Sequence, residues 1–113
     1  VDTRAVVDLD VNGKQLVGVG DGNGPVNAID TALRSVLIDT YPELEQISLV
    51  DYKVRVLDTE KGTGAVTRVL LDSSNGEETW TTIGVSENII EASWQALVDS
   101  IVYGLLRSRA EEN

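Results

Sequence analysis

The sequence predicts an α+β domain that is internally duplicated, built from strand-strand-strand-helix units whose antiparallel sheets pack on helices. Several short runs alternate apolar and polar residues, as half-buried strands do. Asn12-Gly13 and Asn75-Gly76 supply the dipeptide best suited to a two-residue hairpin turn. Two runs with helical spacing of apolar residues each follow a set of strands. The first repeat is expected over about residues 1–46 and the second over about 47–113, together forming a single domain.

Each element follows from its residues. "AVVDLDV" (Ala5 to Val11) alternates, Asn12-Gly13 turns the chain, and "QLVGVG" returns as the second strand. After the glycine loop, Val26, Ile29, Leu33, Val36 and Leu37 recur at helical spacing, with Asp30 and Arg34 elsewhere on the wheel. Pro42 disfavours helix at Tyr41 and ends this run. Leu49 to Asp58 is again an alternating strand, "EKGTG" a loop, and Ala65 to Asp72 a further strand. Asn75-Gly76 leads into "ETWTTIGV", and a long helix is expected from about Glu87 to Arg107.

A shift of 64 residues superposes Val19-Gly20 on Ile83-Gly84, Ala28 on Ala92, and Ala32-Leu33 on Ala96-Leu97. The two Asn-Gly turns agree with this shift to within one residue. The copies are unequal, because the second has three strands before its helix and the first only two. The expectation is a missing strand upstream of Val1, or another chain in its place.

Composition narrows function. The 113 residues carry 19 acidic and 9 basic side chains, a net charge of -10. Nucleic acid and anionic membrane surfaces, which are bound through clustered Lys and Arg, are therefore not expected partners. Cysteine and histidine are both absent, which removes disulfides, thiol chemistry, the usual triads and the strongest metal-ligand clusters. No cofactor or metal is expected, and a cytoplasmic location agrees with the absence of cysteine. No apolar run is read as long enough to span a membrane, and Val1 to Val11 alternates instead of forming a signal-peptide core. Carboxylate-only chemistry remains open but nothing singles out a pair, so the composition favours a binding module over an enzyme.

The second helix places Ala92, Ala96, Ser100 and Gly104 at every fourth position, a ridge of small residues that admits close approach of another backbone. Beside it lies an apolar arc of Ile90, Trp94, Leu97, Ile101 and Leu105. Such a helix is expected to be covered on more than one side, by intrachain packing and by a homodimer interface that uses the small ridge.

The stretch "GDGNGPVNAIDTALR" (Gly20 to Arg34) joins a strand to a helix through glycines at alternate positions. A dinucleotide fingerprint would need a third glycine where Asn23 or Pro25 stands, and a parallel sheet. A phosphate loop needs a following Gly-Lys-Ser/Thr, which is absent. An EF-hand fails because Pro25, Val26 and Ala32 occupy positions that need a ligand, a glycine and a bidentate acid. Two readings stay open. One is a plain tight turn before a well-capped helix. The other is a helix start, opened by Pro25, whose amides and positive dipole end receive a carboxylate. The corresponding "GVSENIIEAS" carries Ser86, Glu87 and Asn88, so the two helix starts have diverged.

Together with "VDYKVRVLD" and "WTTIGVSENIIEASWQALVDSIVYGLL", the glycine stretch resembles the C-terminal regulatory domain of the 2-isopropylmalate synthase and citramalate synthase family. The resemblance covers essentially the whole chain, and "GVSENIIEASWQALVDSI" looks more like the citramalate synthases. It implies a dimeric α+β domain that binds an end-product amino acid and inhibits a distant N-terminal catalytic barrel. The effector would be isoleucine, or leucine if the chain belongs to the isopropylmalate branch. By position, the resemblance assigns the effector site to Gly22, Asn23, Gly24, Pro25, Val26 and Asn27, with Asp51 and Tyr52 from the strand block and Val85, Ser86 and Ile89 at the second helix start. Val26, Ile29, Tyr52 and Ile89 would form the apolar wall. A purely structural dimerisation module, in which the glycines only shape a turn, is the competing reading. The barrel and its metal-binding histidines are not in this sequence, so the fragment is not itself expected to be an enzyme.

Overall fold

The computed structural model describes residues 2–58 and 64–111. The order is β1 (Thr3–Val11), β2 (Lys14–Gly22), α1 (Pro25–Leu37), a 3-10 turn at Pro42–Gln46, β3 (Ser48–Asp58), β4 (Ala65–Ser74), β5 (Thr79–Ser86) and α2 (Ile89–Glu111). Both sheets are antiparallel, β1-β2 and β3-β4-β5, so the α+β expectation holds. The chain forms two compact units, Val1–Glu45 and Gln46–Asn113.

In the first unit the hairpin turns at Asn12 (φ 54°) and Gly13 (φ 81°), the left-handed pair that a two-residue turn needs. The Gly13 amide donates to Asp10 Oδ1 at 2.9 Å. The register places Ala5 opposite Gly20 and Val7 opposite Gly18 on the face that meets α1. A side chain on Gly18, Gly20 or Gly22 would run into the backbone of α1, at Ala32, Ala28 and Asn27 in particular. The alternating glycines therefore let the helix lie directly on the strand. Buried Val26, Ile29, Leu33 and Val36 supply the apolar stripe of α1. Arg34 pairs with Asp30 at 3.0 Å and donates to the Leu44 carbonyl at 3.1 Å, which fastens the helix to the turn behind it.

In the second unit α2 lies on β4 and β5. Thr67, Val69, Leu71 and Ser73 of β4 are buried on the helix side, and Trp80 and Gly84 of β5 join them. The ridge of small residues is spent here. Ala92 and Ala96 receive the bare backbone of Gly84, Ser100 bonds Ser73 at 2.6 Å, and the Trp80 indole donates to the Ser100 carbonyl at 3.1 Å. Gly104 faces Ile47 and Trp80. The expectation that this ridge serves a subunit interface is therefore corrected: all four residues close onto the chain's own core. The exposed apolar residues of α2 are Ile90, Val102, Tyr103 and Leu106 instead.

Other expectations need adjustment. The second helix begins at Ile89, two residues later than expected, because Asn88 caps it through its side chain. It also extends beyond Arg107 to Glu111. The stretch Ile89–Ala110 is long and apolar enough, by length and composition, to cross a membrane, contrary to the sequence reading. Its small face is nonetheless buried on β4 and β5, as in the core helix of a folded unit. Of the "EKGTG" loop, residues 60–63 lie outside the described residues.

Candidate functional site: two unlike helix starts

The candidate residues fall on three places. Gly22 ends β2 and Pro25 begins α1, so Asn23 and Gly24 form the whole connection. Gly24 stands at φ 103°, ψ 174°, a backbone conformation open essentially only to glycine. It is the helix N-cap, it offers no side chain, and its carbonyl accepts the first helical bond from the Ala28 amide at 3.1 Å. Pro25 fills the first position, where an amide would have no helical acceptor anyway. Gly24 supplies no side-chain cap, and the first turn contains no acidic residue. The positive end of the helix dipole is thus left uncompensated by its own residues.

The roles within this loop separate. Gly22 is needed for packing, because a Cβ there would sit 2.6 Å from the Ala28 amide nitrogen. Gly24 is needed for conformation, since a Cβ there would meet nothing within 4 Å. Val26 is 2% exposed, and Ile29 is 4% exposed. Their side chains lie in the buried apolar stripe of α1. Asn23 is exposed and Asn27 half-buried.

Asp51 and Tyr52 sit on β3, an edge strand, next to an irregularity between Leu49 and Asp51. As neighbours on a strand they point to opposite faces. Asp51 pairs with Asp72 on the outer face and Tyr52 with Leu71 on the helix face. A single ligand touches both only at the open edge of β3. The Asp51 carboxylate already accepts the Tyr52 amide at 2.8 Å.

Val85, Ser86 and Ile89 belong to the β5–α2 turn, on the far edge of the same sheet. Two strand spacings, roughly 10 Å, separate the edges. That exceeds the length of one amino acid, so within this unit the β3 pair and the β5 trio are two places and not one. The turn satisfies itself: Asn88 Oδ1 accepts the Ile90 amide at 2.7 Å, Ser86 Oγ accepts the Asn88 amide at 3.3 Å, and Gln95 Oε1 accepts the Val85 amide at 3.1 Å. Sequence reasoning named Asn88 at this helix start without giving it the cap, and it missed Gln95. The Asn immediately before the helical run was the available signal for the first; nothing in the sequence marks the second.

Among the described residues, the hydroxyl of fully buried Ser93 meets no hydrogen-bond partner. Among the described residues no group of His, Cys, Asp or Glu is placed to hold a metal ion. The candidate residues offer backbone amides at the α1 start, a carboxylate and an aromatic ring on β3, and a self-bonded turn after β5.

The fold is a two-unit α+β arrangement whose two helix starts differ in capping. Residues 1–105 match the family described as the LeuA allosteric (dimerisation) domain, and the chain belongs to that family. It is 55% identical over 101 residues to an (R)-citramalate synthase of Synechocystis sp., covering 89% of this chain and 18% of that protein. It is 53% identical over 105 residues to an (R)-citramalate synthase of Streptomyces coelicolor, covering 93% and 20%. A 2-isopropylmalate synthase of Shewanella sediminis is 28% identical over 97 residues, covering 86% and 17%. The chain thus spans about a fifth of the length of these relatives.

Proposed function

We propose that this chain is the regulatory domain of an acetyl-CoA-dependent citramalate synthase, that it forms a homodimer, and that it binds isoleucine to inhibit a catalytic barrel carried elsewhere in the full-length protein. The uncapped start of α1 carries the reading. A free amino acid presents a carboxylate that matches first-turn amides and a positive dipole end, and the helix offers no carboxylate of its own to compete. The ammonium group is assigned to Asp51 or to backbone carbonyls, and the branched side chain to the apolar surface of Tyr52. Val85, Ser86 and Ile89 are assigned to the helix start equivalent by repeat. The internal duplication belongs to the same proposal, and it is supported by the parallel contacts of Gly20 with Ala28 and Ala32 and of Gly84 with Ala92 and Ala96.

Isoleucine is preferred to leucine because identity to the two citramalate synthases is about twice that to the isopropylmalate synthase. An apolar pocket separates such isomers weakly, since even a whole methylene is worth roughly 1–3 kcal/mol. A structural dimerisation module has its own support, because helix packing alone requires Gly18, Gly20 and Gly22. Calorimetry on the dimeric fragment decides among the three. Isoleucine binding more tightly than leucine is the expected result; the reverse order moves the chain to the leucine branch, and heat from neither leaves the structural module.

A further inference from the structure

The outer faces of the two sheets, turned away from their helices, carry opposite chemistry. In the first unit the outer rows pair Arg4 with Asp21, Val6 with Val19, Asp8 with Val17 and Asp10 with Gln15, and Arg4 is already paired with Asp21 at 2.9 Å. These valines are 67%, 51% and 65% exposed, and among the described residues the Asp8 carboxylate accepts only from Gln15, at 2.9 Å. In the second unit the outer rows are Lys53–Leu70–Ile83 and Arg55–Arg68–Val85, with Ile83 52% and Val85 47% exposed. Arg55 and Arg68 are direct cross-strand partners. Like charges so placed repel and weaken a sheet. Among the described residues neither arginine meets a carboxylate, although the chain carries a net charge of -10. The same face also carries Asp51 opposite Asp72 at its other end, but Asp72 is engaged by the Thr81 hydroxyl at 2.6 Å and Asp51 by the Tyr52 amide.

We propose that the outer face of the first sheet of one copy docks on the outer face of the second sheet of another, and reciprocally, so that Asp8 meets Arg55 and Arg68 while Val17 and Val19 cover Ile83 and Val85. The proposal rests on the chain being a dimer, as its family description states of the domain. Size favours the reciprocal arrangement. A face two strands wide and nine residues long covers roughly 300 Å² in plan, from strand spacings near 4.8 Å and rises near 3.4 Å. One such contact is small beside the roughly 800 Å² per partner of a stable interface. Two contacts related by a two-fold axis approach it and close the assembly. The carboxylate of one copy also removes the repulsion that the arginine pair imposes on the other.

The test uses two charge-reversed variants of this 113-residue chain. One carries Arg55→Glu with Arg68→Glu, the other Asp8→Lys with Asp10→Lys, and circular dichroism confirms that each folds. In sedimentation each alone is expected to be a monomer at concentrations where the unaltered chain is a dimer, because both of its contacts are then like-charged. Mixed in equal amounts, they are expected to form a one-to-one dimer, since every contact again joins opposite charges. Zero-length crosslinking of the unaltered chain, with isotope-labelled and unlabelled copies mixed, should join Lys53 to Asp8 or Asp10 between copies, and it applies even if a variant fails to fold. An unaltered chain that is dimeric while either folded variant stays dimeric, or while the mixture stays monomeric, overturns this docking but leaves the dimer intact. Absence of the crosslink in a dimer overturns it as well. An unaltered chain that is monomeric overturns both.

Discussion

The two helix starts differ in who satisfies them. At α2 the chain does so itself: Asn88 caps through its side chain, Ser86 supports Asn88, and Gln95 reaches back to the strand end. At α1 the cap is Gly24, which gives conformation and no side-chain hydrogen bond. Yet the helix-on-strand packing behind the two starts is the same, a bare glycine on each strand lying against two alanines spaced four apart. The packing is alike where the capping is not. The difference teaches that how a helix starts is set locally and independently of how it packs on its strand.

The scaffold half of the comparison gives the largest expected effect. Gly84→Ala drives a methyl into the carbonyl of Ala92, a backbone atom that cannot step aside, and should cost about 3 kcal/mol or more in urea denaturation. Gly20→Ala meets the Ala32 amide and Ala28 carbonyl and should cost roughly 2–3 kcal/mol. Either substitution proving neutral would remove the shared contact from the comparison.

The open start is sharpened by a matched pair at Gly24. Gly24→Ala and Gly24→Asp both carry the strain of a glycine-only conformation, roughly 1–3 kcal/mol, so neither leaves the fold untouched. Only aspartate adds a charge that competes with the carboxylate for the same amides. Isoleucine affinity measured by calorimetry should therefore fall at least about tenfold further in the aspartate variant, or about 1.4 kcal/mol. Equal losses would place the ligand away from this helix start.

At the closed start, Asn88→Ala removes the α2 cap and should lower stability by about 1 kcal/mol, read as a shift of the denaturation midpoint. The smallest effect concerns how α2 ends. Its Tyr103 hydroxyl donates to Glu78 at 2.5 Å and Arg107 pairs with the same carboxylate at 3.0 Å, which ties the last turns to the β4–β5 hairpin. The hydrogen bond from Tyr103 holds the Glu78 carboxyl below its ordinary value, and the same bond pushes the Tyr103 phenol up. The carboxylate's contribution is therefore present above the ordinary glutamate range and fades as pH falls through its lowered pKa. The phenol's is present below the ordinary tyrosine range and fades as pH rises through its raised one. Tyr103→Phe should move the Glu78 titration, followed by NMR, upward, while the ring contact with Trp80 at 5.1 Å survives. An unmoved titration would show that Arg107 alone sets it.

The sequence by itself determined the elements and their order. Strand alternation, the two Asn-Gly turns and Pro42 act over a few residues, so β1 to β5 and both helices were legible to within a few residues at each end. The resemblance to the family was legible too, because it rests on the spacing of whole blocks. What only the tertiary structure decided is which partner each small residue and each charge meets. The ridge from Ala92 to Gly104 reads equally well as an interface between subunits or as a seat for a strand, and only the placement of Gly84, Trp80 and Ile47 chose the second. Gly22 and Gly24 read alike, yet one is bare because a helix backbone presses on it and the other because its φ is positive. The arginine pair Arg55 and Arg68 lies thirteen residues apart in the chain, and register alone sets the two side by side. Local pattern specifies conformation through short-range sterics and hydrogen bonding, whereas contact is specified by elements that are distant in sequence.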